Sequence, residues 1–406
     1  MSSDFDGIKV LDFTQVIAGP FAAQQLALLG ADVIKIEPVD GGDQMRDRML
    51  PSALSTVGMA SPFMTLNLCK RSLALDLKHP KGRETALRLI SGADVMLHNF
   101  RAGVIDRLGL DWASVRAVNP ALVYCAISGY GAQGPRSRDP AFDGAIQAAS
   151  GMMANNGHAE SGPTRTGYFP VDMTTGLTAA FAIAAALNRR TRTGQGKAID
   201  VAMLDAAITL QAASFAQYLV DGLPGGLTGN SSATGAPSAD RYDTADGMVL
   251  LSAVGQSQVE ALCRETGLAE LLTDPRFATP AARAEHRDAF RERMTAALST
   301  DTSANWTSRL GACGVPVSAV NSIADTVAEP QLAHRSVLVD VQGVTGVDRP
   351  VRLVAAAFQA NQDGPAVSRP PPALGEHSEQ ILRAFEFSND EITALIDAGV
   401  VGVRRS

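Results

Sequence analysis

Histidine, cysteine and aromatic residues are all scarce in this 406-residue chain: six histidines, four cysteines and 5% aromatics. Cys69, Cys125, Cys263 and Cys313 are widely scattered and mostly sit inside apolar runs, with neither metal-ligand spacing nor the look of a disulfide framework. His79, His98, His158, His286, His334 and His377 form no pair at metal-binding spacing, and no serine occupies a G-x-S-x-G elbow. Triad hydrolases and metalloenzymes are therefore disfavoured, and no metal site is expected. What remains for covalent chemistry is a carboxylate. The chain also lacks a run of about 18 consecutive apolar residues and a basic-then-apolar leader, so neither a membrane span nor a signal segment is expected. A net charge of −7 gives no broad grip on nucleic acid or an anionic membrane. Together these absences predict a soluble protein of a reducing, cytoplasmic compartment.

What is present is ample apolar material, 46% of residues against 19% charged, with abundant Ala and Gly that suit close helix–sheet packing. "GIKVLDF" (Gly7 to Phe13) has the continuous apolar character of a buried strand. "AGPFAAQQLALLG" follows at helical spacing with a Gly stop, and "ADVIKIE" is a second strand. The alternation recurs in "SLALDL", "PKGRETALRLISG", "DVMLHNF" and "ALVYCAISGYG", which predicts an open, largely parallel α/β sheet with helices on both faces. A long Ala-rich helix follows Asp172. Composition then shifts at "DGLPGGLTGNSSATGAPSAD", a Gly/Ser/Pro-rich loop that opens a smaller α+β segment. The expected division is 1–221 for the first part of a large domain, 222–325 for the small α+β domain, and 326–406 for a return segment.

Several motifs carry chemistry. "GYGAQG" (Gly129 to Gly134) matches a dinucleotide fingerprint, but it runs on into "PRSRDP", loop chemistry in place of the required helix. The turn "DFTQVIAGP" exposes backbone N–H groups at a helix start, which attract anions, although taken by itself an ordinary cap by Thr14 is the preferred reading. "CKRSLALDLKHPKG" and "HNFRAGVIDRLG" place Lys70, Arg71, Lys78, Asn99, Phe100, Arg101 and Arg107 at two strand ends. There, guanidinium groups and a ring suit a phosphate-bearing nucleotide, although each charge taken singly reads as solvated surface and only the clustering raises the ligand reading to an even alternative. Asp172, in "GYFPVDMTTGLTAAF", is either the cap of its helix or a nucleophile whose anion that helix end supports. The local sequence accommodates both roles.

Six stretches in order, "GIKVLDFTQVIAGPFAAQQLALLGADVIKIEPVDGGDQMRD", "LCKRSLALDLKHPKG", "DVMLHNFRAGVIDRLG", "FDGAIQAASG", "VDMTTG" and "ALGEHSEQIL", span nearly the whole chain. Together they resemble the class III CoA-transferases, the family of formyl-CoA and carnitine CoA-transferases, whose close relatives are the α-methylacyl-CoA racemases. The resemblance implies a Rossmann-like large domain built from both chain ends, an inserted smaller domain, and an interlocked homodimer. It implies that Asp172 attacks an acyl-CoA thioester to give a mixed anhydride, then exchanges through an aspartyl-CoA thioester. Gln15, Val16 and the loop carrying Gly225, Gly226 and Gly229 become candidate donors to the developing oxyanion. The implied CoA contacts are Val16, Ala18, Leu75, Asp76, Leu77, Lys78, Asn99, Phe100 and Arg107. Pro38 stands where formyl-CoA transferase has an Arg, and Arg46 is the candidate replacement.

The implied activity divides two ways. Racemases carry "GHD" where this chain has "AFD", so Phe142 replaces the histidine while Asp143 stays, and the position of their glutamate falls near Gly255. Losing one acid/base undercuts proton transfer at both faces of a substrate, which favours the transferase. Racemisation is the alternative, and a non-catalytic protein with Asp172 as a cap is the third reading. The expected partners are an acyl-CoA donor, possibly succinyl-CoA, and a short carboxylic acid acceptor, with coenzyme A as substrate and no permanently bound cofactor.

Overall fold

The computed structural model describes residues 3–404 apart from positions 51 and 233. By their contacts these form two units. The first comprises Met1–Met152, Thr166–Leu223 and Gln331–Ser406; the second comprises Met153–Arg165 and Pro224–Pro330.

The first unit is built on a seven-stranded sheet of β1 (Lys9–Asp12), β2 (Asp32–Glu37), β3 (Arg71–Leu75), β4 (Val95–His98), β5 (Val123–Ser128), β6 (Lys197–Ala202) and β7 (Val401–Gly402). Their spatial order is β7-β3-β2-β1-β4-β5-β6, parallel throughout except that β7 runs antiparallel to β3. The six parallel strands thus follow the doubly wound order 3-2-1-4-5-6, in which the connections change direction between β1 and β4. Helices cover both faces, so the strands are apolar on both, and successive residues feed opposite layers. Val10, Val33, Val95 and Val123 join one core cluster; Leu11, Ile34, Leu73 and Met96 join the other.

The first layer is completed by α1 (Ala18–Leu28) and α3 (Pro170–Thr193), with the short α2 (Asp143–Ala149) between them in sequence. A Cβ on Gly176 would lie 2.6 Å from the Ala18 carbonyl oxygen and 2.9 Å from the Phe21 ring. Glycine is thus what lets α3 close onto the first turn of α1. By length and composition α3 is apolar enough to cross a membrane, yet its Ala179, Ile183, Ala186 and Leu187 are buried in the first core cluster. The helical segment before the Gly-rich loop is interrupted at Gln211, giving Met203–Leu210 and α4 (Ala212–Asp221).

The second unit has a three-stranded antiparallel sheet, with Met248–Leu251 between Arg241–Asp243 and Val317–Ala319. Tyr242, Phe277, Phe290 and Trp306 fill its core. Its extent differs from the expected 222–325 by running to Pro330 and by taking in Met153–Arg165. Gly225 and Gly229 show why the earlier segment belongs here. A Cβ on Gly225 would meet Asn155 Oδ1 at 1.9 Å, and one on Gly229 would meet His158 Nδ1 at 2.5 Å. Residues 153–165, "MANNGHAESGPTR", have the polar composition of a loop, which does not say which unit the loop joins.

Candidate active site

The carboxyl ends of β1 and β4 flank the switch point, where ligands bind in open α/β sheets. The chain leaving β1 is held there by side chains. Asp12 Oδ1 accepts the Thr14 N–H at 2.9 Å, Asn99 Oδ1 accepts that of Gln15 at 2.9 Å, and Asp43 Oδ1 accepts that of Val16 at 3.1 Å. Asn99 Nδ2 returns a bond to the Gln15 carbonyl at 2.7 Å, and Lys35 Nζ donates to the Thr14 carbonyl at 2.9 Å. Val16 sits at φ +73°, a left-handed conformation that a β-branched residue rarely adopts. These bonds correct two expectations. The backbone N–H groups of Gln15 and Val16 are already committed and are not free oxyanion donors. Thr14 does not cap α1 either: its hydroxyl bonds Asp12, and Ile17 stands at the cap position without a side-chain bond. The N–H groups left without an acceptor among the described residues are those of Ile17, Ala18 and Gly19.

Beneath this turn lies a buried charge cluster of three acids and three bases. Lys70 pairs with Asp12 at 2.8 Å, Lys35 with Asp43 at 2.8 Å, and Arg46 with Glu37 at 2.7 Å. Burial alone would raise Glu37, but Arg46 outweighs it and draws the carboxyl down to about 2. Burial pushes Lys70 down to about 8 despite Asp12. The cluster overturns the assignment of Arg46 to CoA. Its guanidinium is buried, bonded to both Glu37 oxygens and the Pro372 carbonyl, and stacked 3.9 Å over the Phe63 ring. Lys70 and Arg71, whose partner is Asp32, are likewise internal.

At the end of β4, His98 is buried and held neutral, its pKa pushed down to about 4 by desolvation. Its Nδ1 accepts the Phe100 N–H at 3.3 Å and its Nε2 lies 2.7 Å from the Tyr124 hydroxyl. Phe100 stacks on the imidazole at 5.7 Å. This histidine orients a ring that faces ligand space; its role is not legible locally, since it depends on Tyr124 of the adjacent strand.

Asp172 occupies the first turn of α3, within the helix and not at its cap. Phe169 takes the cap position, with no side-chain bond. The free N–H groups of Val171 and Asp172 are instead taken by Asp143 Oδ2, at 2.9 and 3.0 Å. Asp143 is buried, and its Oδ1 accepts from Gln147 Nε2 at 2.6 Å. The local alternatives for Asp172 thus separate in space: a neighbour caps the helix, and the Asp172 carboxylate accepts no hydrogen bond from any described residue. Burial, reinforced by the Asp143 charge, raises its pKa to about 7.

A cavity of about 350 Å³ joins these pieces, all within the first unit. Gln15, Val16, Ala18, Asn99, Phe100 and Asp172 all line it, and Phe142 stands exposed at its wall. Arg101 and Arg138 line it without a carboxylate partner among the described residues. The volume is at the small end for ligand pockets, enough for a short acyl group and its thioester but not for a whole coenzyme. The other expected contacts are not among the residues that line it. Leu75 is buried inside β3; Asp76, Leu77 and Lys78 form the turn after it, Lys78 N–H bonding Asp76 Oδ1. Arg107 is exposed at the end of Val104–Arg107. Gly225, Gly226 and Gly229 belong to the second unit. "GYGAQG" is a loop whose Gly131 and Ala132 N–H groups are taken by Ser128 and Asp200, so it offers no phosphate cradle.

A model of CoA-transferase family III matches residues 5–378. The succinate–glutarate CoA-transferase of Agrobacterium fabrum is 36% identical over 391 residues, covering 94% of this chain and 95% of the relative. The succinyl-CoA:glutarate CoA-transferase of Mus musculus is 30% identical over 397 residues, covering 98% of this chain and 90% of the relative. Among solved structures, a CaiB/BaiF family protein from Brucella suis superposes with a TM-score of 0.85 at 32% identity, over 95% of this chain and 100% of that one.

Proposed function

The chain belongs to CoA-transferase family III and is a CoA-transferase, and from that premise we propose that it moves CoA from succinyl-CoA to a short dicarboxylic acid, with Asp172 as nucleophile. An Asp172 oxygen attacks the thioester carbon, the C–S bond breaks, and an acyl–aspartyl anhydride and CoA thiolate result. The thiolate attacks the aspartyl carbonyl and frees the donor acid, leaving an aspartyl-CoA thioester. The acceptor carboxylate attacks that thioester, the C–S bond breaks to release CoA thiolate and a second anhydride forms; the thiolate then attacks the acceptor carbonyl, giving the new acyl-CoA and regenerating Asp172. Each exchange leaves one carbonyl activated as anhydride or thioester, so no thioester energy is lost to water. The observation that carries this reading is the Asp172 carboxylate itself, buried in a cavity and without a hydrogen bond from any described residue, while Asp143 performs the capping.

Two further features support the parts. The Ile17 and Ala18 N–H groups and the Gln15 amide at the cavity wall suit a developing oxyanion. Arg101 and Arg138 suit the anionic ends of CoA or of a dicarboxylate. The names of the relatives above point to the same substrate class. Racemisation is disfavoured because no histidine lines the cavity and Asp143 is fully engaged.

Quenching a reaction with succinyl-CoA in hydroxylamine tests the nucleophile: the hydroxamate is expected on the Asp172 peptide and absent in Asp172→Ala. Turnover with no adduct, or an adduct elsewhere, would overturn it. A panel of C2 to C6 acids tests the acceptor, and turnover of bulky acids alone would sink the dicarboxylate assignment.

The chain also acts as a homodimer in this proposal. α4 buries none of its residues, and Val220 is 80% exposed beside Leu219 and Tyr218. Light scattering should give twice the chain mass, and Leu219→Glu with Val220→Glu should lower it; a monomer in the unmodified protein refutes the assignment.

A further inference from the structure

The strained turn at Val16 and the buried charges beneath it raise one question: why the molecule maintains both. Six buried ionic groups are costly, and apolar side chains of similar volume usually stabilise a core as well or better. A valine at φ +73° is unfavourable in its own right. Each is explained by the other. Asp43 sits just before the short helix Gln44–Arg46, and its Oδ1 accepts both the Met45 N–H at 3.0 Å and the Val16 N–H at 3.1 Å. Its Oδ2 meets Lys35 Nζ at 2.8 Å. The same Lys35 nitrogen holds the Thr14 carbonyl. Asp43 and Lys35 therefore grip the turn from both sides of Gln15. Burial opposes the Lys35 ammonium, but Asp43, Asp12 and Glu37 outweigh it and raise its pKa, so the ammonium stays charged.

We propose that Asp43 is a positioning residue for the transfer reaction: anchored by Lys35, it clamps Val16 in its left-handed conformation and so holds the free N–H groups of Ile17 and Ala18 at the wall of the Asp172 cavity. The inference rests on the proposed role of Asp172 in that cavity. Without the clamp, Val16 relaxes to an ordinary backbone conformation and the first turn of α1 rotates away from its place. A glycine at position 16 carries no such strain and holds the turn unaided.

The test is a double-mutant cycle on kcat/KM for acyl-CoA, with Tm followed in parallel. Asp43→Ala is expected to lower kcat/KM about tenfold or more, the scale of a lost hydrogen bond to a charged acceptor. In a Val16→Gly background the same change should cost less than about threefold. Lys35→Met with Asp43→Asn keeps the acceptor for Val16 and removes both charges, so it should be less impaired than Asp43→Ala. If Asp43→Ala does not fold, Lys35→Met/Asp43→Ala leaves no unpaired charge in that pair and carries the same comparison. A merely structural Asp43 gives equal losses in both backgrounds, or leaves the folded Lys35→Met/Asp43→Asn variant as slow as Asp43→Ala; either result overturns the proposal. Asp172→Ala is run alongside. If it retains activity the underlying reading fails, whereas an inactive Asp172→Ala with an uncoupled Asp43 sinks the positioning role alone.

Discussion

Asp143 and Asp172 share one helix end: Asp143 Oδ2 accepts the Asp172 N–H at 3.0 Å and the Val171 N–H at 2.9 Å. The donors that would have quietened the Asp172 carboxylate are thus spent on its neighbour, whose charge further disfavours ionisation of Asp172. An anion kept unstabilised is a better nucleophile, and burial, the Asp143 charge and the commitment of these N–H groups all act in that direction.

The pH dependence follows. Burial and then Asp143 raise Asp172 from 3.8 to about 7. The attacking form is the anion, so kcat/KM for acyl-CoA should rise with pH through an inflection near that value. Asp143→Asn removes the neighbouring charge and should move the inflection to lower pH. A profile unchanged in Asp143→Asn contradicts the coupling.

Stability should respond in the opposite sense. A carboxyl whose pKa is raised on folding binds its proton more tightly in the folded state. Stability is therefore lost as pH rises from about 4, where the unfolded chain ionises, to about 7, where the folded one does. The cost at high pH reaches up to about 4 kcal/mol. Asp172→Asn escapes it, so its Tm advantage over the unmodified protein should be larger at pH 8 than at pH 5. Equal differences at the two pH values would falsify the raised pKa.

Much of this architecture was legible in the residues. Continuous apolar strands alternating with Ala-rich helices gave the parallel sheet, and the strand-end residues Asn99 and Phe100 do meet Asp172 across one cavity. Arg46 was misplaced because sequence position shows a charge near a strand end without showing which way it turns. Its partner Glu37 closes a strand, and the Pro372 carbonyl lies 326 residues away. The two roles open to Asp172 cannot be separated locally for a similar reason. Asp is common at helix starts, and only the fold brings Asp143, 29 residues earlier, to the same N–H groups.

Gly176 offers a packing test. A methyl group there meets the Ala18 carbonyl at 2.6 Å, backbone that cannot step aside cheaply. Gly176→Ala should separate α3 from α1, lower stability by about 1–3 kcal/mol despite its better helix propensity, and depress kcat because Asp172 shifts with its helix. Denaturant melts and steady-state kinetics on one preparation would show both losses, and a stabilised, fully active variant would contradict the close approach.

Phe142→His tests whether the transferase is one substitution from a racemase. The new imidazole would lie at the cavity wall, but α-proton exchange needs a second acid/base on the other face. Asp143 is committed to Gln147, Val171 and Asp172. Deuterium uptake at Cα of a 2-methylacyl-CoA in D₂O, followed by NMR, should stay at the level of the unmodified protein. Rapid uptake would mean that Asp143 can leave its bonds.

Arg46 separates binding from structure. Were it a CoA contact, Arg46→Met would raise KM for every acyl-CoA and spare stability. The geometry predicts the reverse, because the substitution strands Glu37 in the interior, and breaking one side of a buried pair costs about 3–5 kcal/mol. Glu37→Gln in the Arg46→Met background removes the orphaned charge and should recover part of that loss. Thermal melts of the single and double variants give the coupling directly. A KM for succinyl-CoA within about threefold of the unmodified protein, measured on whatever folded fraction survives, is the expected companion result. A large KM increase with an unchanged Tm would return Arg46 to the coenzyme.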